Sequence, residues 1–324
     1  MEVAVFVGDG VADFGYAALI EGFNMANAVR AEVPAPPAPW QIRTVSLTGD
    51  VRTANGHTLA AIPLTDLADE FSLLVIPAVH VLGTEPLIEL VSAPRSRPVL
   101  DRIRRAHHDR VRLAAACTGT FFLAEAGVLD GEPATTSWWL GPGFRRRYPR
   151  VALDENRILC RGDRVITAGA SLSHMDLALS LVHESSPALA ELAGRYLAIG
   201  NRKTQAEFAI PEVVARGDAL VTAFERWVRA HLSEPFRLSA AAGDLGTTAR
   251  SLQRATKAEL GISPRDFAGD IRLERAAHLL RTTALTVEAV AAKVGYTDAV
   301  SLRNLVRRRR GMSIAELRSS RTLG

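Results

Sequence analysis

Short apolar runs and longer amphipathic stretches alternate along the first 185 residues. "VAVFVGD" (3–9) predicts a buried strand, and "AALIEGFNMANAV" (17–29) carries apolar residues at helical spacing. "QIRTVSL" (41–47) predicts a second strand. "FSLLVIPAV" (71–79) is apolar without alternation, as in a parallel strand covered on both faces. "VLDRIRRAHHD" (99–109) predicts a helix, followed by a strand, "RLAAAC", that ends abruptly at Cys117. "RVITAGA" (164–170) and "SHMDLALSLVHE" (173–184) predict one more strand and helix. In "VRTANGHTLAAI" (51–62), Asn55-Gly56 between extended runs predicts a hairpin. "PAPPAPW" (34–40) reads as a rigid loop inside the domain. The order predicts an α/β domain with a mostly parallel sheet between helices.

Strand patterns stop after Pro187. "PALAELAGRYLAI" (187–199) predicts a helix, "GNRKTQAEFAIPEVVARGD" (200–218) a connector, and "ALVTAFERWVRAHL" (219–232) opens an all-helical region that runs to the end. Two segments of that region repeat each other: "LSAAAGDLGTTARSLQRATKAELGISP" (238–264) and "LTVEAVAAKVGYTDAVSLRNLVRRRRGMSI" (285–314). Each reads as a short helix, a Gly-containing turn, a second helix and Gly-x-Ser, the arrangement that places a recognition helix in a major groove. Between them, Ile271, Leu273, Ala276, Ala277, Leu279 and Leu280 predict one linking helix over 267–283. The expected division is 1–205, a linker over 206–217, and 218–324.

Charge sharpens this division. Residues 246–324 hold 15 Lys and Arg against 7 Asp and Glu, a net +8, whereas residues 1–245 hold 24 against 28, a net −4. A polyanion partner is therefore expected for the C-terminal part alone. The N-terminus begins at once with a strand, and no run approaches the ~20 apolar residues of a membrane span, so a cytoplasmic protein is expected. Two cysteines, Cys117 and Cys160, make no disulfide framework and no zinc site, and no cofactor is expected.

In the first repeat, Thr248 is positioned as the N-cap and Leu252 faces inward. Arg250, Gln253, Arg254 and Lys257 are the polar positions available to DNA. In the second, Arg303, Asn304 and Arg307 take the corresponding parts, and Thr297 stands where it meets a phosphate. Arg pairs bidentately with guanine and Asn or Gln with adenine, each worth ~1–3 kcal/mol of discrimination. Arg307, Arg308, Arg309 and Arg310 read as phosphate contacts. On "TTARSLQRATKAELGISP" and "VAAKVGYTD…RGMS", residues 218–324 resemble the AraC/XylS-type DNA-binding domain with its two helix-turn-helix units. The chain departs from that pattern at Thr256, Leu302 and Val306, where the family often has Phe, at Asn304 for Arg, and at Ile314 for Pro.

Cys117 sits at a sharp strand-to-helix bend, the place where nucleophilic enzymes keep their nucleophile. "CTGTFFLAEAGVLDGEPATTSWW" (117–139) resembles the PfpI/ThiJ-like, glutamine-amidotransferase-like domain found at the N-terminus of many AraC-type regulators, and "NRKTQAEF" (201–208) resembles its closing segment. The resemblance implies a flavodoxin-like fold over residues 1 to about 210. It also implies a His partner for the Cys within "ATTSWW", where this chain has Ser137. A hydroxyl is no general base near neutral pH. Asp13 falls near the expected acidic neighbour, and His80 follows a strand that ends at the same rim. The expected pocket is lined by Asp13, His80, Cys117, Thr118 and Ser137, and holds a small polar or anionic effector without turning it over. Cys160 reads as a strand residue, and Arg145 to Arg147 as a solvated helix end.

Two functions follow. One is a regulator that binds double-stranded DNA through its C-terminal part, senses a metabolite at its front and, as the family resemblance implies, forms a homodimer. The other is a Cys117-dependent amidase- or hydrolase-like enzyme with secondary DNA binding. Residue 137 speaks against the second.

Overall fold

Apolar runs that lack alternation become neighbouring strands of one sheet, because both of their faces are covered by helices. In the computed structural model, which describes residues 1–66, 71–199, 204–205 and 208–319, the chain divides into two units, Met1–Gln205 and Ala206–Gly324.

The front unit runs β1 (Glu2–Phe6), α1 (Asp13–Val29), β2 (Gln41–Ser46), β3 (Val51–Arg52), β4 (Thr58–Leu59), β5 (Ile62–Pro63), β6 (Leu73–Ile76), α2 (Thr84–Ser92), α3 (Arg97–His108) and β7 (Arg112–Ala116). It continues with α4 (Thr120–Glu125), β8 (Pro133–Ala134), α5 (Gly141–Arg147), β9 (Ala152–Leu153), β10 (Leu159–Arg161), β11 (Val165–Ala168), α6 (Ser173–Ser185) and α7 (Pro187–Tyr196). The main sheet has the order β10-β11-β7-β6-β1-β2-β5. All neighbours in it are parallel except β10 and β11. Val3, Val5, Leu73, Val75, Ala114 and Ala116 face one side, against Leu19, Phe23, Leu177 and Leu189 of α1, α6 and α7. Ala4, Phe6, Leu74, Ile76, Leu113 and Ala115 face the other, against Leu87, Ile103, Phe121 and Phe144 of α2 to α5. Each large side chain so buried contributes about 1.5–3 kcal/mol.

β3 and β4 form the hairpin expected around Asn55-Gly56, with Gly56 at φ +87. Cys160 is, as expected, a strand residue, buried in the antiparallel edge strand β10, while the small β8–β9 pair has no clear pattern in the sequence. Arg145 and Arg147 are not a solvated helix end: they pair with Glu155 at 2.6 Å and Glu125 at 3.0 Å.

The second unit contains α8 (Pro211–Val214), α9 (Ala219–Ala230), α10 (Leu238–Asp244), α11 (Ala249–Leu260), α12 (Pro264–Thr282), α13 (Val287–Lys293), α14 (Ala299–Arg310) and α15 (Ile314–Ser319). Part of the expected connector is thus helical. Ala215, the residue that follows α8, is buried with Val221 and Phe224 in the core of this unit. Asn201 to Lys203, Ala206, Glu207 and the C-terminal residues from 320 lie outside the described residues.

The repeat now has an accurate register. α11 and α14 are each 12 residues long and stand 50 positions apart. Thr248 and Asp298 cap their N-termini through side-chain oxygens. Gly261 and Gly311 end them in the left-handed conformation, and Ser263 and Ser313 cap the helices that follow. Leu252 and Leu302 point into the core, as do Thr256 and Val306, each with no exposed surface. Ile314 is buried with Leu302 and Val306, so the departures at 256, 302, 306 and 314 still serve packing, whereas Asn304 is exposed.

The turn of the second motif is braced from outside it. Gly295 has φ +76, and a Cβ there would lie 2.5 Å from the carbonyl oxygens of Leu232 and Glu234. The buried Arg272 of α12 donates to those same loops, to Glu234 O at 2.5 Å and Gly295 O at 3.4 Å. Its guanidinium also lies 5.7 Å from the centre of the Tyr296 ring. Gly246, the matching glycine of the first motif, has φ +63 with open space around it. Gly246→Ala is therefore expected to cost about 1 kcal/mol, from backbone strain alone. Gly295→Ala is expected to cost at least ~3 kcal/mol, because overpacking adds to the strain. Urea unfolding of the full chain, following the transition of the C-terminal unit, separates the two.

Candidate functional site

β7 ends extended at Ala116, and the next residue reverses: Cys117 has φ +57. A left-handed non-glycine residue costs of order 1–3 kcal/mol and persists only when its surroundings hold it. Three contacts hold this one. A Cβ on Gly119 would lie 2.3 Å from Ile76 O and 2.6 Å from Pro77 O, so only glycine lets the bend approach the end of β6. Thr118 donates its hydroxyl to Val79 O at 2.7 Å and accepts from Val79 N at 2.9 Å. Thr136 donates to Cys117 O at 2.7 Å.

The bend brings Cys117 Sγ to 2.8 Å from Ser137 Oγ. Both side chains are buried, at 4% and 0% exposure. Burial raises the Cys117 thiol above its usual range, and the hydrogen bonds from Ser137 and Thr118 offset this only in part. This is the reverse of the electropositive, partly exposed setting that makes a thiol reactive. No imidazole is hydrogen-bonded to Cys117 among the described residues.

The other pocket candidates are placed differently. Thr118 is buried, and its hydroxyl is taken up by the Val79 peptide groups. Asp13, at the start of α1, turns to the hairpin. It accepts from Asn55 N at 3.1 Å and pairs with His57 Nδ1 at 2.6 Å, and bonds from Thr53 and His57 hold its carboxyl down at about 2. His80 is exposed, and its ring makes no hydrogen bond among the described residues. Its backbone nonetheless joins the same rim, since His80 N donates to Gly10 O at 2.8 Å and Val11 bridges Val79. Cys117, Thr118 and Ser137 therefore form one buried cluster, while Asp13 at the start of α1 and His80 flank the stitched loops beside it.

Two residues of this region carried no functional signal in the sequence. His174, fully buried at the start of α6, donates from Nδ1 to Ser171 O at 2.7 Å and accepts at Nε2 from Ala78 N at 3.1 Å. Those partners assign the neutral tautomer, and burial lowers the ring to about 4. A Cβ on Gly15 would lie 2.7 Å from Nε2, so the ring fills the space between α1, α6 and the loop after β6. Gln205, 3% exposed, donates to Thr136 O at 2.8 Å and Arg157 O at 3.0 Å, and accepts from Ala170 N at 3.1 Å. Gln205 thus grips the loop after β8 that leads to Ser137.

In the second unit, Arg250, Gln253, Arg254 and Lys257 share the exposed face of α11, and Lys257 Nζ donates to Gly261 O at 2.6 Å. Arg303, Asn304, Arg307 and Arg308 are exposed on α14, with Thr297 just ahead of it. Arg303 lies 3.4 Å from Glu288 and Arg308 3.7 Å from Asp266, both exposed pairs of little energetic weight. Arg309 departs from the phosphate-contact expectation: it pairs with Asp270 at 2.9 Å and Asp266 at 3.2 Å, tying α14 to α12. Burial raises Asp270 to about 6 even with Arg309 beside it.

An α/β unit with a buried elbow, joined to a tandem helix-turn-helix unit, is the class this geometry defines. The DJ-1/PfpI family model matches residues 1–184, and a helix-turn-helix domain model, of the AraC type, matches residues 241–320. The chain belongs to the DJ-1/PfpI family and carries a helix-turn-helix domain. It is 26% identical to the HTH-type transcriptional regulator CdhR of Pseudomonas aeruginosa, over 89% of this chain and 82% of that protein. It is 24% identical to the HTH-type transcriptional regulator GlxA of Rhizobium meliloti over 64% of each. The front unit's fold is that of Drosophila melanogaster DJ-1beta, with a TM-score of 0.50 and 16% identity over 62% of this chain and 98% of that one. No helix among the described residues is long and apolar enough to cross a membrane.

Two measurements probe the front site. Because the His174 ring is lowered from 6.5 to about 4, the unfolded chain takes up the proton first, so stability is full above pH 6.5 and falls until pH 4. The expected loss from this ring is about 3 kcal/mol. Urea unfolding across that range checks it, and His174→Gln removes that part of the pH slope. For Cys117, iodoacetamide at pH 7 is expected to leave the native thiol unlabelled for far longer than the urea-unfolded one. Rapid native labelling contradicts the buried assignment.

Proposed function

We propose that the chain is a one-component transcription regulator whose C-terminal unit binds duplex DNA and whose front unit senses a small molecule without chemically changing it. The observation that carries the first part is the matched pair of recognition helices. Each presents exposed side chains at i, i+3, i+4 and i+7 on one face, and most of those side chains are basic or amide groups suited to base edges and phosphates. The relatives that span both units are named as HTH-type transcriptional regulators. A homodimer, as such regulators use for paired sites, completes the proposal.

Ser137 supports the second part. With Ser137 beside Cys117, the elbow has a hydroxyl where catalysis needs a base, and the thiol is held in its neutral form. The elbow, stripped of its partner base, serves as scaffold for an effector site at the rim formed by the loops that carry Asp13 and His80. An effector acts by binding more tightly to one arrangement of the protein than another.

A gel shift with duplex DNA selected from a random library tests DNA binding. The expected result is a salt-sensitive, sequence-selective complex, and its absence rejects the proposal. Arg254→Ala is expected to weaken binding and relax preference at one base pair with thermal stability unchanged. Arg309→Ala is expected to lower the stability of the C-terminal unit by about 2 kcal/mol, since it leaves Asp270 unpaired. Binding isotherms and thermal melts on the two variants distinguish these roles.

A further inference from the structure

The 50-residue register pairs the exposed positions of the two recognition helices one by one. Gln253 matches Arg303, Arg254 matches Asn304 and Lys257 matches Arg307. The remaining pair sets Arg250 against Val300. Val300 is 59% exposed in the first turn of α14, while Leu302, Leu305 and Val306 supply that helix's buried face. It lines an open groove of 810 Å³ together with Arg303, Asn304 and Arg307.

A β-branched residue here is favoured neither by helix propensity nor by burial. Val is a weaker helix former than Lys, Arg or Ala, and an exposed isopropyl group gains nothing from water. Its neighbours along the face are two guanidinium groups and an amide, which suit base edges. The first turn of a recognition helix is the part that reaches bases. In a major groove, the apolar group available to such a side chain is the C5 methyl of thymine.

We infer that Val300 reads a thymine through its 5-methyl group, so that the two recognition helices demand different chemistry at matching positions: a hydrogen-bond acceptor facing Arg250 and a methyl group facing Val300. The inference rests on the DNA-binding reading above. Arg303 and Asn304, three and four positions on, then take the polar edges of the adjoining bases.

The test selects an operator from a random duplex library with the full-length protein. Each thymine of that operator is then replaced by deoxyuridine, one at a time, which removes the methyl group and leaves every hydrogen-bonding edge in place. One replacement is expected to weaken the wild-type protein by about fourfold, the effect of one buried methyl group. Val300→Ala is expected to bind the parent operator more weakly than wild type and to be indifferent to that same replacement. Because Val300 is exposed, the variant is expected to keep its fold, checked by its circular dichroism and melting temperature. If no deoxyuridine replacement affects the wild type, or if Val300→Ala remains as sensitive as the wild type, the inference is overturned while DNA binding stands. If no operator is enriched, the DNA-binding reading itself fails.

Discussion

The front unit depends on one close approach: the bend at Gly119 lies directly against the carbonyls of Ile76 and Pro77, with no room for a side chain between them. Two parallel strands, β6 and β7, therefore end together, and the residue that opens the bend has to turn left-handed. Cys117 is held there by hydrogen bonds from neighbouring segments. The same approach lets Thr118 clasp the Val79 peptide and so fixes the loop that leads to His80. The bend therefore holds a buried thiol whose side-chain hydrogen-bond partner is the hydroxyl of Ser137.

The C-terminal unit meets a comparable constraint by other means. Two helix-turn-helix motifs are useful as a pair only if their recognition helices are held relative to each other. Arg272 does this from the centre of α12, with its guanidinium shared between the loop after α9 and the turn of the second motif. Arg229 adds a second tie through Glu225 and Glu274, and Arg309 a third through Asp266 and Asp270. A charge-rich helical domain thereby divides its arginines between internal bracing and an outward face.

Much of this was readable beforehand. Periodicity found the parallel strands and the linking helix, and Asn55-Gly56 found its hairpin, because each follows from local pattern and burial. The helical repeat was visible for the same reason, since caps and core positions recur at fixed spacing. The pairing of Arg309 was not readable, because it depends on which turn of α12 lies beneath the end of α14. His174 and Gln205 were missed because a buried polar residue carries no sequence mark: their partners are backbone groups far along the chain. Asp13 is a pocket candidate because it falls near the acidic neighbour that the resemblance implies, and its contacts with the Asn55 turn and His57 depend on a hairpin 42 to 44 residues away, which no local pattern shows. Val300 passed unnoticed because an apolar residue in an amphipathic helix reads as core until the register shows that it faces out.

The unequal pair at Arg250 and Val300 has a geometric result. At those matching first-turn positions one helix offers a guanidinium and the other a bare isopropyl group, so the repeat copies its scaffold without copying its surface.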